Sequence, residues 1–133
     1  MMKVSYSVLC AALLLASTST RLIAAVPLSP IPGYVCMGLN ITNAQAHDFN
    51  FEVPIRSEPN SRSQVLQTAA GVLAMRSPRH EVAGFVELLT AKQLPGWIEA
   101  RYVGPRTTPL NPRSRCWPVI SPKGTVMFSY SDS

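Results

Sequence analysis

Charge is scarce in this chain: only 14% of its 133 residues are Asp, Glu, Lys or Arg. No stretch gathers Lys and Arg into a dense run, so the electrostatic footprint of a nucleic-acid binder is missing. Catalytic signatures are missing as well. There is no Gly-x-Ser-x-Gly, no His-x-x-x-His and no Cys-x-x-Cys, which leaves a serine nucleophile and a closed metal site without a motif. No internal repeat is visible, and no amphipathic helical period runs through Val53 to Pro105. Proline is absent before residue 27, and all 12 prolines follow that point, as suits short strands and fixed loops better than helices.

What the chain has in excess is apolar content, 47% of residues, and part of it sits at the start. Lys3 provides a short positive region, Val8 to Ala16 an apolar core, and Leu22-Ile23-Ala24-Ala25 a small-residue end. That is the layout of a secretory signal peptide cleaved after Ala25. The apolar core falls short of the ~20 residues a membrane span needs. Cys10 follows Leu9 where a lipid-modified cysteine follows a small residue, so a lipid anchor is set aside. Loss of Lys3 and Arg21 with the leader leaves ten basic against seven acidic residues, or +3. This mild bias is compatible with an anionic partner.

Val26 to Gly33 carries Pro27, Pro30 and Pro32 and reads as an extended arm. Tyr34 to Ile41 alternates with period two, as a half-buried strand does. Asn43 to Asp48 is polar and reads as a loop. Phe49, Phe51, Val53 and Ile55 alternate with polar residues over Phe49 to Arg56, the clearest strand pattern in the chain. Pro54 lacks a ladder donor and is expected to face an edge or a break. Ser57 to Ser63 reads as a turn-rich loop. Val65-Leu66 and Val72 to Met75 make the next pair of strands, and Arg76 to His80 an exposed connection. Phe85 to Leu89 has the near-continuous apolar run of a buried central strand, and Trp97 to Ala100 follows as another strand. Beyond a second proline-rich connection, Ser121-Pro122-Lys123-Gly124 has the turn chemistry of a terminal hairpin.

The order Val53-Pro54-Ile55-Arg56-Ser57-Glu58-Pro59, Gly71, Gly84-Phe85-Val86 and Gly96-Trp97-Ile98 resembles the bacterial SH3-like domain family. The resemblance spans Val53 to Pro105, with Glu58 where the family has Gly and Phe85 where it has Trp. It implies an all-β fold: a small SH3-like barrel with an added N-terminal strand and a C-terminal β-hairpin. The organisation expected is a signal peptide over 1–25, arm and first strand over 26–48, barrel over 49–105 and hairpin extension over 106–133. The family ends on one tight turn, which falls here on Arg101-Tyr102-Val103.

Cys36 and Cys116 remain after leader removal, and an even pair in an exported protein reads as a disulfide. The competing reading is a nucleophilic cysteine with His47 or His80. It is disfavoured because no helix follows either cysteine. The two histidines otherwise read as solvated loop residues. No catalytic residue, metal ligand or cofactor is expected. The resemblance gives Arg56 a role in fixing the adjoining loop, with direct ligand contact as the alternative. Phe85 and Trp97 are assigned to core packing, while Tyr102 and Trp117 are the candidate groove aromatics, beside loops Ser57–Ser63 and Arg76–His80. The function expected is an exported, non-enzymatic binding module, periplasmic or secreted. Its partner would be peptidoglycan or an extended segment of an envelope protein, not nucleic acid. A periplasmic inhibitor of a hydrolase, presenting the Ser57–Ser63 loop, is the alternative.

Overall fold

The computed structural model describes residues 2–3, 16–21, 28–106 and 113–131. The Ala24-Ala25 cleavage point and nearly all of the Val8–Ala16 core lie outside the described residues, as do Pro109 and Pro112. The rest is all-β and antiparallel. In chain order come β1 (Tyr34–Leu39), α1 (Asn43–Ala46), β2 (Pro54–Arg56), β3 (Val65–Thr68), β4 (Val72–Arg76) and β5 (Glu81–Val82). There follow β6 (Phe85–Leu89), β7 (Pro95–Glu99), a 3-10 turn (Ala100–Tyr102), β8 (Val103–Gly104), β9 (Arg115–Ile120) and β10 (Val126–Ser131).

Eight strands form one sheet in the order β3-β2-β7-β6-β4-β1-β8, with β5 attached to β6, while β9 and β10 pair separately. The path is open, since β3 and β8 end it without joining each other. β1 is not appended to the sheet but lies within it, between β4 and β8. β3 and β4 do not pair with each other: β3 pairs with β2, and β4 with β1 and β6.

Alternation explains the core. Across the sheet Val86 faces Ile98 in register, and the Arg56–Trp97 pair sets Ile55 opposite Ile98. All three are fully buried, joined by Val53, Leu73, Met75 and Leu88. Each such side chain contributes about 1.5–3 kcal/mol on leaving water, so this inner row fixes the register that also aligns the opposite face. Gly96 lies in the same row. A Cβ there would sit 2.6 Å from Ile55 Cγ2 and 3.0 Å from Thr90 Cγ2. The strand expected over Phe85–Leu89 is observed, with four of its five residues buried.

Two expectations change. The strand predicted over Phe49–Arg56 is confined to Pro54–Arg56, and Phe49 is fully exposed. The side chain of Asp48 accepts from Asn50 N at 2.9 Å and its carbonyl from Phe51 N at 3.1 Å. This local turn competes successfully with extension. The loop expected at Asn43–Asp48 contains one helical turn, closed by a capping box in which Thr42 Oγ1 accepts from Gln45 N and Gln45 Oε1 from Thr42 N. Pro54 behaves as expected: β2 meets β7 in the single pair Arg56–Trp97, and that ladder goes no further toward Pro54.

The β9–β10 hairpin turns through Ser121–Gly124, with Gly124 at φ +79°. A disulfide joins Cys36 of β1 to Cys116 of β9, with Cα atoms 5.9 Å apart. Val126 N donates to Ala91 O at 2.9 Å, and Gln93 Nε2 to Gly124 O at 2.8 Å. The proline-rich arm runs along β9, where Pro30 bridges Val119 and Ile31 N donates to Pro118 O at 2.8 Å.

Candidate functional site

The strand registers align one row of side chains on the sheet face opposite the core. Tyr34 pairs with Arg76, Glu87 with Trp97, Trp97 with Arg56, and Arg56 with Val65. The β4–β6 register sets Met75 opposite Leu88, which brings Arg76 beside Glu87. Paired residues in an antiparallel sheet project to the same side. The row therefore crosses six strands, from β1 to β3. Cys36, Ala74 and Leu89 lie on the same face further along, and there the hairpin covers them, with Val126 and Phe128 sharing a cleft of about 190 Å³ with Ala74 and Leu89.

Glu87 is the centre of the row. Its carboxylate accepts from Arg76 Nη1, and His80 Nδ1 lies 2.7 Å from the same oxygen. Burial alone would raise the Glu87 pKa, but the Arg76 and His80 contacts together outweigh it and hold the group below its ordinary value of 4.5. The Arg76 guanidinium is in turn raised, chiefly by its hydrogen bond to Glu87. Arg76 Nη1 also lies 3.3 Å from the same His80 Nδ1, so the three side chains meet at one point. The imidazole packs edge-on to Trp97, with ring centroids 5.3 Å apart.

Arg56 holds the neighbouring loop: its Nη1 donates to Ser63 O at 2.9 Å. The loop is bonded within itself as well, Ser63 Oγ donating to Glu58 O at 2.9 Å and Arg62 N to Asn60 Oδ1 at 3.0 Å. Thus the loop Ser57–Ser63, through Arg56, and the loop Arg76–His80, through His80, both converge on Trp97. Trp97 is half-buried on the outer face, not in the core to which the sequence reading assigned it. Phe85 is buried as expected.

The two groove candidates are elsewhere. The turn expected on Arg101-Tyr102-Val103 is found one residue earlier, over Ala100–Tyr102, and Tyr102 closes it half-buried against the core. Phe51 meets it edge-on at 6.2 Å and the Arg101 guanidinium covers its ring at 4.7 Å. Trp117 lies on β9, half-buried, and its Nε1 is buried without a hydrogen-bond partner. Among the described residues no ring contact joins Tyr102 to Trp117 or either one to Trp97.

Both histidines are exposed, as expected: His47 Nδ1 lies 2.7 Å from Asn43 O, while His80, its side chain 47% exposed, adds the contact to Glu87 that the sequence reading missed. The missed signal is Glu87 itself. A carboxylate inside the apolar run Phe85-Val86-Glu87-Leu88-Leu89 requires a cationic partner when the strand is buried, and Arg76 on the paired strand β4 supplies it. Among the described residues no three metal-ligating side chains cluster, and no helix is long and apolar enough to cross a membrane. Compared with protein-family models, curated proteins and solved structures, the chain matches none of them.

Proposed function

We propose that this chain is an exported, non-enzymatic binding module with an SH3-like barrel, recognising peptidoglycan or an extended peptide segment in the bacterial envelope. The observation that carries the reading is the convergence of two loops on a half-buried tryptophan, flanked by Arg76, His80 and Glu87. An aromatic ring between fixed loops, with polar groups at its edge, suits a shallow groove for an extended ligand. The disulfide is compatible with an oxidising compartment. The order of strands, the 3-10 turn before the last short strand and the placement of Gly96 beside Trp97 support the barrel family.

A second reading draws on the stiffness of the Ser57–Ser63 loop, bonded by Arg56 and by its own side chains. A rigid projecting loop suits a periplasmic inhibitor of a hydrolase. One experiment separates the two: co-sedimentation with purified peptidoglycan sacculi, comparing wild type with Trp97→Ala and His80→Ala variants of verified fold. Retention of wild type, weakened about tenfold by Trp97→Ala through loss of ring contact, supports the groove. Absence of wild-type retention together with tight one-to-one capture of a soluble hydrolase moves the assignment to the inhibitor.

A further inference from the structure

The large sheet is open, and its gap falls beside β1. There β8 pairs only with Gly38 and Leu39. Val35 and Met37, which share the inner face with Leu39, therefore have β4 on one side and no described strand on the other. With Met75, Val86 and Val103 they wall a cleft of about 130 Å³, and Ser77 and Arg79 stand at its mouth. Val35 is 43% exposed there. Arg79 donates to Glu81 through Nε, and its Nη groups make no bond among the described residues. Elsewhere the chain displays one aromatic ring in full, that of Phe49. The backbone on both sides of it is bonded: Asp48 N donates to Gln45 O at 3.2 Å, Asn50 N to Asp48 Oδ1 at 2.9 Å and Phe51 N to Asp48 O at 3.1 Å. The ring is thus presented with little backbone freedom left to lose on contact. Asp48 and Glu52 flank it, and neither forms an ion pair among the described residues.

We propose that the Phe49 tip of one copy of this chain enters the cleft between Val35 and Met75 of a second copy. Size supports the fit. An apolar cavity of about 150 Å³ takes a benzene ring, and this cleft offers about 130 Å³ and opens to solvent at Val35. Met37 and Met75 suit an aromatic guest, because an unbranched thioether repacks easily and favours sulfur–ring contact. Charge supports it as well: acids flank the tip, and the Arg79 guanidinium stands at the mouth. Other exposed apolar side chains of the chain match the cleft less well. Val65, Leu94 and Met127 have no acid within two positions, and the acid beside Val82 is Glu81, already bonded to Arg79. Tip and cleft are different surfaces, so the contact is heterologous, and each joined copy still offers one of them. Neither surface includes Trp97, so self-association and ligand binding at that ring are tested separately.

The test is sedimentation of the oxidised protein from about 10 μM to about 1 mM, the range suited to a small contact with one anchoring ring. Mass above the monomer is expected at the upper end, together with upfield shifts of the Met37, Met75 and Val86 methyl resonances from the inserted ring. Phe49→Ala should weaken association about tenfold or more and abolish those shifts. Arg79→Glu, at a side chain 51% exposed, should weaken it about threefold, and adding Glu52→Lys should recover part of the loss. A mixing experiment then separates tip-in-cleft from any symmetric contact. Phe49→Ala keeps the cleft and Val35→Glu keeps the tip, so each alone should stay monomeric while the two together form a one-to-one pair. Thermal unfolding checks both folds, and Arg79→Glu replaces Val35→Glu in the mixture if the latter is unfolded. A monomer at the highest concentration, association indifferent to Phe49→Ala, or a mixture that stays monomeric each overturns the proposal. Phe49-dependent binding to phosphatidylcholine vesicles without self-association overturns it too.

Discussion

Replacing Cys36 and Cys116 by serine removes a cross-link between residues 80 apart in sequence. In the chain-entropy treatment, a loop of that length contributes about 4.5 kcal/mol at 25 °C by restricting the unfolded chain. For a domain of this size such a loss lowers Tm by roughly 20–30 °C. The location of the bond makes the prediction sharper than a general loss of stability. Apart from the disulfide, the β9–β10 hairpin is tied to the large sheet by Val126 N to Ala91 O, by Gln93 Nε2 to Gly124 O, and by Arg106 beyond β8, which donates to Ser114 O at 2.6 Å and covers the Tyr130 ring at 5.5 Å. It also buries Pro118, Val119 and Val126. Three such side chains yield about 4.5–9 kcal/mol as an upper bound. Ordering the hairpin backbone costs about 1 kcal/mol or more per residue, which exceeds that gain. A two-stranded hairpin is marginal alone, so without the bond it should leave the sheet before the sheet itself unfolds. The assay is urea unfolding of oxidised and serine-substituted protein, combined with amide exchange. The Val126 amide should lose protection at denaturant concentrations where Val86 and Ile98 remain protected. A single transition with an unchanged midpoint and uniform protection would refute the reasoning.

Three other outcomes are expected. The Glu87 pKa is held below 4.5 in the fold, so its contribution to stability is present above that value and is lost as pH falls through the folded pKa. Glu87→Gln should flatten the acid limb below about pH 4.5 in thermal unfolding and cost about 1–2 kcal/mol at neutral pH, discounted for the exposed partners. Gly96→Ala forces a Cβ within 2.6 Å of Ile55 Cγ2 and should destabilise by about 1–3 kcal/mol in denaturant titration. Ala83 and Gly84 form the β5–β6 turn with φ of +51° and +80°, so Ala83→Asn should stabilise the fold by about 0.5–1 kcal/mol through relieved strain, seen as a small rise in Tm.

Local signals in the sequence were sufficient where the chain's neighbours in space are also neighbours in sequence. The run Phe85–Leu89 and the turn at Ser121–Gly124 both rest on residues a few positions apart. The Phe49–Arg56 strand misled because period two was satisfied by side chains while Asp48 drew the backbone into a turn at Phe49–Phe51. The capping pattern Thr42-x-x-Gln45 was legible in principle, and the polar composition of the segment obscured it. Trp97 was misplaced for a different reason. Gly96 and Ile98 point to the core, and only the partner strands reveal that the intervening tryptophan meets Arg56 on one side and Glu87 on the other. Such pairings join residues distant in sequence, and no local period encodes them.

The open part of the sheet face is defined by what closes the rest of it. Tyr34 and Cys36 are two positions apart on β1 and therefore project to the same side. Cys36 carries the hairpin through its bond to Cys116, and the hairpin lies over Ala74 and Leu89. Tyr34, Arg76, Glu87, Trp97 and Arg56 continue on the same face beyond it. The face is thus split between a covered half, fixed by a covalent bond, and a charged and aromatic half bordered by two loops. Glu87 makes the second half costly to leave without structure: once buried, its carboxylate holds Arg76 and His80 together, and His80 in turn fixes one edge of Trp97. The ring is then positioned by a polar network and not by the core, so its surroundings respond to the charge of whatever approaches it. An Arg76→Ala change should therefore shift the Trp97 indole and His80 ring resonances in solution NMR while leaving those of the Ile55–Ile98–Val86 row in place.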